Sequence, residues 1–286
     1  MTQLAPAGGL EAFKAKYEQG QELGSGGFAS VYSGVRKSDG LKVAIKHAAR
    51  KKLTFYPLAR KAEVLNVPME VYLMFRAAGG PDKLGQSAAV SLLDWFELDT
   101  DIIIVMERPS PSTDLVYYSA LHYPLPEETV RDIMRQLVLA VIDLHNKRVF
   151  HRDLKSNNIL IQETEDGIRV RIIDFGCGCV VKTIPHTSHM GCVSYAPPEL
   201  FLGKKYWDSP TSVWQIGGVA YELLNEDDRF FDTCDWVLGE LSMKTSEAVS
   251  DEGKRFIQAC LEENAPQRIS LEELERHPWF LTSTHA

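Results

Sequence analysis

Three things are scarce in this chain of 286 residues, and each scarcity closes off a class of function. No apolar run approaches the roughly 18 residues that a membrane-spanning helix needs, so no membrane partner is expected. Positive charge is in the minority: 31 Lys and Arg face 39 Asp and Glu, a net charge of −8. That balance argues against nucleic-acid binding and suits a basic peptide partner. The cysteines, at 177, 179, 192, 234 and 260, are odd in number and follow no framework spacing. A disulfide scaffold is therefore excluded, and a reducing, intracellular setting is expected, cytoplasmic or nuclear. Cys177-Gly178-Cys179 lacks the second pair that a structural zinc would need, so no such site is expected. The start, Met1-Thr2-Gln3-Leu4-Ala5-Pro6, has no charged segment leading into an apolar one and does not read as a signal peptide. Neither internal repeats nor low-complexity tracts occur. What remains is an ordinary globular composition, with enough apolar residues for one large domain or two lobes.

Within it, chemistry concentrates at His151-Arg152-Asp153-Leu154-Lys155-Ser156-Asn157-Asn158. The apolar run Ile159-Leu160-Ile161 follows, then a turn at Asp166-Gly167, then Ile172-Ile173-Asp174-Phe175-Gly176. A lysine, an amide and two carboxylates stand at the ends of two short strand-like runs, which suits a catalytic loop beside a metal-binding carboxylate.

Upstream, residues 1–16 read as a loose lead-in. Leu23-Gly24-Ser25-Gly26-Gly27-Phe28-Ala29-Ser30-Val31 reads as strand, tight turn and strand, with glycines that let the backbone approach a polyanion. A strand and not a helix follows, which disfavours a dinucleotide-binding turn. Val43-Ala44-Ile45-Lys46 ends a strand on a lysine. Arg50, Lys51, Lys52, Arg60 and Lys61 read as a solvated loop. Val67 to Phe75 reads as a helix with Pro68 in its first turn. Within it Glu70 sits among apolar neighbours and needs a partner, for which Lys46 is the candidate. Residues 90–96 and 102–105 read as strands, and Pro109 and Pro111 mark a stiff connector. Beyond it helices dominate: Val130, Ile133, Met134, Leu137, Val141 and Leu144 recur at helical spacing, Val213 to Leu224 and Phe256 to Leu261 form further helices, and Ser270 to Glu273 is a capping box.

Taken together, Gly24-x-Gly26, Val43-Ala-Ile-Lys46, His151-Arg-Asp153 with Asn158, Asp174-Phe-Gly176 and Pro197-Pro198-Glu199 resemble the eukaryotic protein kinase domain. Val67-Pro-Met-Glu-Val71, Leu92-Leu-Asp-Trp-Phe96, Glu107-Arg-Pro109 and His277-Pro-Trp279 are similar to the Pim group of serine/threonine kinases. Pro109 is the most telling residue, because it removes a backbone N–H that most kinases offer to adenine, a loss of about 0.5–1.5 kcal/mol.

The resemblance implies an α+β, bilobal fold: a kinase domain over 17–280, with a β-rich N-lobe at about 17–108, a hinge at 107–111 and a mostly helical C-lobe at 112–280. It implies transfer of the γ-phosphate of ATP, with Mg²⁺, to Ser or Thr hydroxyls of protein substrates. Residues implied to bind ATP are Leu23, Gly24, Ser25, Gly26, Gly27, Phe28, Ala29, Val31, Ala44, Lys46, Glu70 and Glu107. Asp153 would orient the hydroxyl and accept its proton, and Lys155 would neutralise the moving phosphoryl group. Asn158 and Asp174 would hold Mg²⁺. His151 and Phe175 would pack, and Glu199 would pair with Arg268. Asp114 and Cys192 fall at substrate-binding positions. The implied partner is a peptide with basic residues upstream of the target, met by a monomer that is active without phosphorylation of Thr183, Thr187 or Ser188. Arg152 could bind a phosphate there if one appeared.

The chain also departs from the pattern. Cys192 replaces a threonine whose hydroxyl supports the catalytic Asp and Lys. Ser212 and Gln215 replace an Asp and a Ser near Trp214, so a different tether for the catalytic loop is expected. Asn157 stands where the group carries glutamate, which predicts a weaker arginine preference, with Glu226, Asp227, Asp232 and Asp235 as remaining attractors. The alternative reading is a pseudokinase, a nucleotide-binding scaffold with weak transfer, motivated by Cys192, Ser212 and Ala29. Against it, Lys46, Glu70, Asp153, Asn158 and Asp174 are all present. A small-molecule kinase is disfavoured by the intact Pro197-Pro198-Glu199 segment.

Overall fold

Apolar residues that alternate with polar ones make strands with one buried face, and the first third of the chain is built that way. The computed structural model describes residues 4–27, 29–60, 63–225, 230–241 and 249–281. The chain divides into two units, Met1–Pro111 and Ser112–Ala286.

In the first unit, β1 (Tyr17–Ser25), β2 (Ala29–Arg36), β3 (Lys42–Ala49), β6 (Leu92–Glu97) and β7 (Asp101–Glu107) form an antiparallel sheet in the order β1-β2-β3-β7-β6. Ile102, Ile103, Ile104 and Val105 are fully buried, as expected of a strand covered on both faces. Val43, Ile45, Ile103 and Val105 join Leu93 and Phe96 in one core cluster.

That cluster also includes Phe13 and Tyr17, so residues 1–16 are not a loose lead-in where they are described. Leu10–Lys16 is a helix, α1. Leu4 is buried, and its carbonyl accepts from Trp95 Nε1 at 3.2 Å. Ala7 N–H donates to Trp95 O at 2.8 Å. The segment covers an apolar face of the sheet that would otherwise meet water, a demand invisible in its own composition.

The expected solvated loop also needs correction. Phe55–Arg60 and Glu63–Pro68 pair as a hairpin, β4 and β5, with Lys61 outside the described residues. Tyr56 stacks on Tyr72 at 3.9 Å, which fastens the hairpin to α2 (Met69–Ala78). The basic residues had masked the strand signal. Pro68 stands just before α2, at its N-cap.

The second unit is mostly helical. Its strands are β8 (Ser112–Asp114), β9 (Val149–Phe150), β10 (Ile159–Thr164), β11 (Gly167–Ile172) and β12 (Cys179–Val180). Its helices are α3 (Leu115–Leu121), α4 (Glu127–Asn146), α5 (Pro198–Phe201), α6 (Asp208–Leu224), α7 (Thr233–Val237), α8 (Asp251–Cys260) and α9 (Leu271–Leu274). The helical stripe Val130, Ile133, Met134, Leu137, Val141 and Leu144 lies wholly in the core. Nearly every residue of α6 is buried, which makes it the unit's central helix. Ser270 caps α9 in a capping box with Glu273. No helix among the described residues is long and apolar enough to cross a membrane.

Two carboxylates fasten this core. Glu127, at the start of α4, accepts from Ser250 N–H at 2.8 Å, Ser250 Oγ at 2.6 Å and Trp279 Nε1 at 2.7 Å. Burial alone would raise its pKa, but these bonds, with Arg131, outweigh burial and hold it below the usual carboxylate value. Glu199 takes Arg268 in a fork, at 3.2 and 3.0 Å, and the guanidinium lies 4.9 Å over the Trp214 ring. Both partners are buried, so removing one charge strands the other. Glu199→Gln is expected to lower the unfolding free energy by about 3–5 kcal/mol in denaturant titration, and the double change Glu199→Leu with Arg268→Met to recover much of that loss.

Candidate functional site

The first unit presents one group of the expected residues. Leu23, Gly24 and Ser25 end β1, Ala29 and Val31 begin β2, and Phe28 between them lies outside the described residues. Gly26 N–H donates to Ala29 O at 2.9 Å and closes the turn. A Cβ at Gly24, Gly26 or Gly27 would meet nothing within 4 Å, and none of the three has a positive φ. Neither backbone conformation nor packing among the described residues therefore requires glycine there.

On the neighbouring strands, Lys46 lies opposite Val31, and Ala44 opposite Met106. Lys46 Nζ donates to Glu70 Oε1 of α2 at 2.7 Å, and the two side chains are 10% and 3% exposed. The partner expected for Glu70 is thus the one found, and the pair fixes the position of the ammonium. Glu107, at the end of β7, accepts Ser91 N–H at 3.1 Å through its side chain. Lys52, expected to be merely solvated, donates to Gly27 O at the tip of the turn.

The second unit gathers the other group around Asp153. Its Oδ1 accepts Cys192 N–H at 2.7 Å. Its Oδ2 accepts Asn158 Nδ2 at 3.0 Å and lies 3.1 Å from Lys155 Nζ. Asn158 Nδ2 also donates to Asp153 O at 2.8 Å. Burial opposes the Lys155 charge, but Asp153 and, more weakly, Asp174 outweigh it and raise the ammonium's pKa. Asp174 is exposed, has a φ of 62°, and accepts Gly176 N–H at 3.2 Å.

Side chains behind the loop hold it. His151 Nε2 donates to Ile173 O at 3.0 Å, its Nδ1 accepts Asp153 N–H at 3.3 Å, and its ring meets Phe175 edge-on. Burial pushes its pKa down, which suits a packing imidazole. From α6, Gln215 Nε2 donates to Arg152 O at 2.9 Å, and its Oε1 accepts Leu154 N–H at 3.3 Å. Gln215 is thus the alternative tether, while Ser212 turns to His145 Nε2 at 2.9 Å. Gly191 has a φ of 103°, and a Cβ on it would lie 2.4 Å from Arg152 O. Here only glycine fits, and Cys192 reaches Asp153 because of it.

Other expected residues have different tasks. Asp114 caps α3, accepting Tyr117 N–H at 2.9 Å. Asp232 caps α7 in the same way, and Glu226 and Asp227 lie outside the described residues. Arg152 donates through Nη2 to Ser188 O at 2.7 Å and to Tyr206 OH at 2.6 Å. Sequence reasoning missed Glu222, a half-buried residue on α6 whose carboxylate is bonded by Ser156 Oγ and Phe231 N–H. Burial raises its pKa against those bonds. Its one sequence signal was an acidic residue inside an apolar helix.

Comparison with known proteins gives the chain's relatives. Residues 17–280 match the protein kinase domain family. The serine/threonine-protein kinase pim-2 of Danio rerio is 36% identical over 98% of this chain and 90% of its own length. Serine/threonine-protein kinase prk-2 of Caenorhabditis elegans is 32% identical over 96% of this chain, which spans 60% of that protein. Serine/threonine-protein kinase ppk6 of Schizosaccharomyces pombe is 27% identical, and the chain spans 33% of it.

Cys192 supports Asp153 through its backbone, while its side chain lies near Lys155. A hydroxyl is a stronger donor than a thiol. Cys192→Thr is therefore expected to raise turnover on a peptide a few-fold with little change in nucleotide KM, measured side by side with the unaltered protein; equal or lower turnover counts against that support.

Proposed function

The chain belongs to the protein kinase family and is a serine/threonine kinase of the Pim type that uses ATP on protein substrates, and from that premise we propose which of its residues perform the transfer. Asp153 orients the substrate hydroxyl and accepts its proton. The observation that carries this role is its carboxylate, held by a backbone N–H, an amide and an ammonium at 2.7, 3.0 and 3.1 Å. A group so fixed pays little reorganisation when charge moves. Lys155, whose ammonium is favoured by its neighbours, offsets charge on the phosphoryl group in transit.

Leu23 to Val31, with Ala44 and the backbone at Glu107, form the nucleotide's seat. Supporting this, glycine at 24, 26 and 27 leaves open space that no part of the described chain uses. Lys46, aligned by Glu70, engages the phosphates. Asn158 and Asp174 suit Mg²⁺, since both offer oxygen donors and the Asn158 nitrogen is committed to Asp153, leaving its amide oxygen as the acceptor. When bound, the ion neutralises phosphate charge. Nothing favours the scaffold alternative: Lys46 and Glu70, and Asp153 with Lys155 and Asn158, are each held by a hydrogen bond or ion pair.

Arg152 already holds residues 177–195, the activation segment, through Ser188 O, and Tyr206 OH joins the same contact, which supports activity without phosphorylation. The substrate is a peptide with basic residues upstream of its Ser or Thr, preferred more weakly than is usual for the group, because Asn157 is neutral and Asp114 and Asp232 are engaged as helix caps. The enzyme acts as a monomer inside the cell, and five cysteines that all remain thiols support the intracellular setting.

The test is transfer of labelled γ-phosphate to a basic peptide by the purified chain. Asp174→Asn should lower kcat by about 10²-fold or more without unfolding the protein. Equal transfer by the variant would overturn the assignment. A positional-scanning peptide array should show arginine selection upstream of the target, and a flat array would refute the substrate reading.

A further inference from the structure

One group of metal-ligating side chains in the second unit has no part in the transfer. Cys179 of β12, His186 and Asp208 of α6 bring a sulfur, an imidazole nitrogen and a carboxylate oxygen within 4.8 Å of one another. They come from three separate stretches, and each is positioned by contacts of its own. Cys179 pairs across the short sheet with Phe150. His186 exchanges both backbone bonds with Tyr206, at 2.8 and 3.2 Å, and its ring lies between Tyr206 and Phe150 at 5.1 and 5.4 Å. Asp208 meets the ring Nε2 with Oδ1 and accepts Lys182 N–H with Oδ2 at 2.9 Å. His186 and Asp208 are buried, and Cys179 is half-buried.

A buried histidine–aspartate pair alone explains two of these residues and leaves out the thiol, which the Arg152 guanidinium approaches. We propose that Cys179, His186 and Asp208 form a Zn²⁺ site, with water as fourth ligand, that pins the activation segment to the first turn of α6.

Donor chemistry selects the ion. One sulfur, one nitrogen and one oxygen suit zinc and not Mg²⁺, which takes oxygen. Ligands about 2.0–2.3 Å from a tetrahedral ion stand about 3.3–3.8 Å apart, so side-chain rotation must bring Cys179 inward and open the His186–Asp208 hydrogen bond, which is shorter than that spacing. Arg152 and Lys182 face Cys179. Burial pushes the thiol's pKa up, and these two cations offset part of that rise. They ease formation of the thiolate yet repel a cation, so selectivity rests on bonds to sulfur and nitrogen and not on net charge. Metal binding must displace the thiol proton and therefore tightens as pH rises. Because the clamped stretch, 179–208, contains Cys192, occupancy bears on the donor that Asp153 receives.

The experiment strips the purified full chain of metal and titrates Zn²⁺ against a chromogenic chelator. One Zn²⁺ per chain is expected, with Cys179→Ser and Asp208→Asn each weakening binding at least about tenfold and Cys177→Ser leaving it unchanged. Co²⁺ in place of zinc should give a thiolate-to-cobalt absorption band that Cys179→Ser abolishes. Zn²⁺ should raise the melting temperature of the unaltered protein but not of Cys179→Ser. Absence of stoichiometric binding, binding unaltered by Cys179→Ser, or a cobalt spectrum without the thiolate band would overturn the site. Should Asp208→Asn fail to fold, the cobalt band and Cys179→Ser decide. None of these readouts depends on phosphoryl transfer, so a failed site and a failed enzyme assignment stay distinguishable.

Discussion

The second unit's chemistry hangs on the backbone of residues 152–154, held in a shape that free chain would avoid. Arg152 sits at a φ of 69°, in the left-handed region that costs a non-glycine residue about 1–2 kcal/mol. The side-chain amide of Gln215 grips both flanks of that kink, as donor to Arg152 O and acceptor from Leu154 N–H. Gln215 is buried in α6, so the loop's shape is referred to the core. Most kinases are expected to use an aspartate near this place. Here a neutral amide satisfies one donor and one acceptor at once, without bringing a second carboxylate near Asp153.

From that kink the rest of the site follows. Asp153 is turned toward Cys192, Asn158 and Lys155, so each of its oxygens is met by a donor. The close passage of Gly191 against Arg152 O allows the Cys192 N–H to arrive. The Arg152 side chain reaches the other way, to Ser188 and Tyr206, and ties the activation segment to the same residue that shapes the loop. Around this segment the proposed zinc ligands form a second fastening. The first unit repeats the principle with different means: Lys46 and Glu70 fix each other's charge in a dry environment where neither would be stable alone.

Much of this was legible beforehand because the signals are local or paired by charge. The stripe on α4, the capping box at Ser270, the turn at Gly167 and the Lys46–Glu70 pair each depend on spacing or on a buried charge that demands a partner, while the Glu199–Arg268 pair was implied by the family resemblance. The hairpin at residues 55–68 was hidden, since Arg60 and Lys61, after the basic run Arg50 to Lys52, outweighed a weak alternation that Tyr56 against Tyr72 supports. The packing of residues 4–16 was hidden because its cause is the apolar face of a sheet built from residues far away.

The sequence by itself determined the reaction class, through its likeness to the protein kinase domain: a glycine-rich turn, a lysine with its glutamate, and the His151–Asn158 loop followed by Asp174 carry that likeness in their residue types and their order along the chain. What only the tertiary structure decided is which groups meet from distant stretches. Gln215 became a clamp, Asp114 and Asp232 became helix caps, and Cys179, judged alone beside Cys177, found His186 and Asp208. Spacing along the chain carries information over a few turns of helix or strand. Convergence across dozens of residues is set by how buried surfaces pack, and that is resolved only when the whole chain has folded.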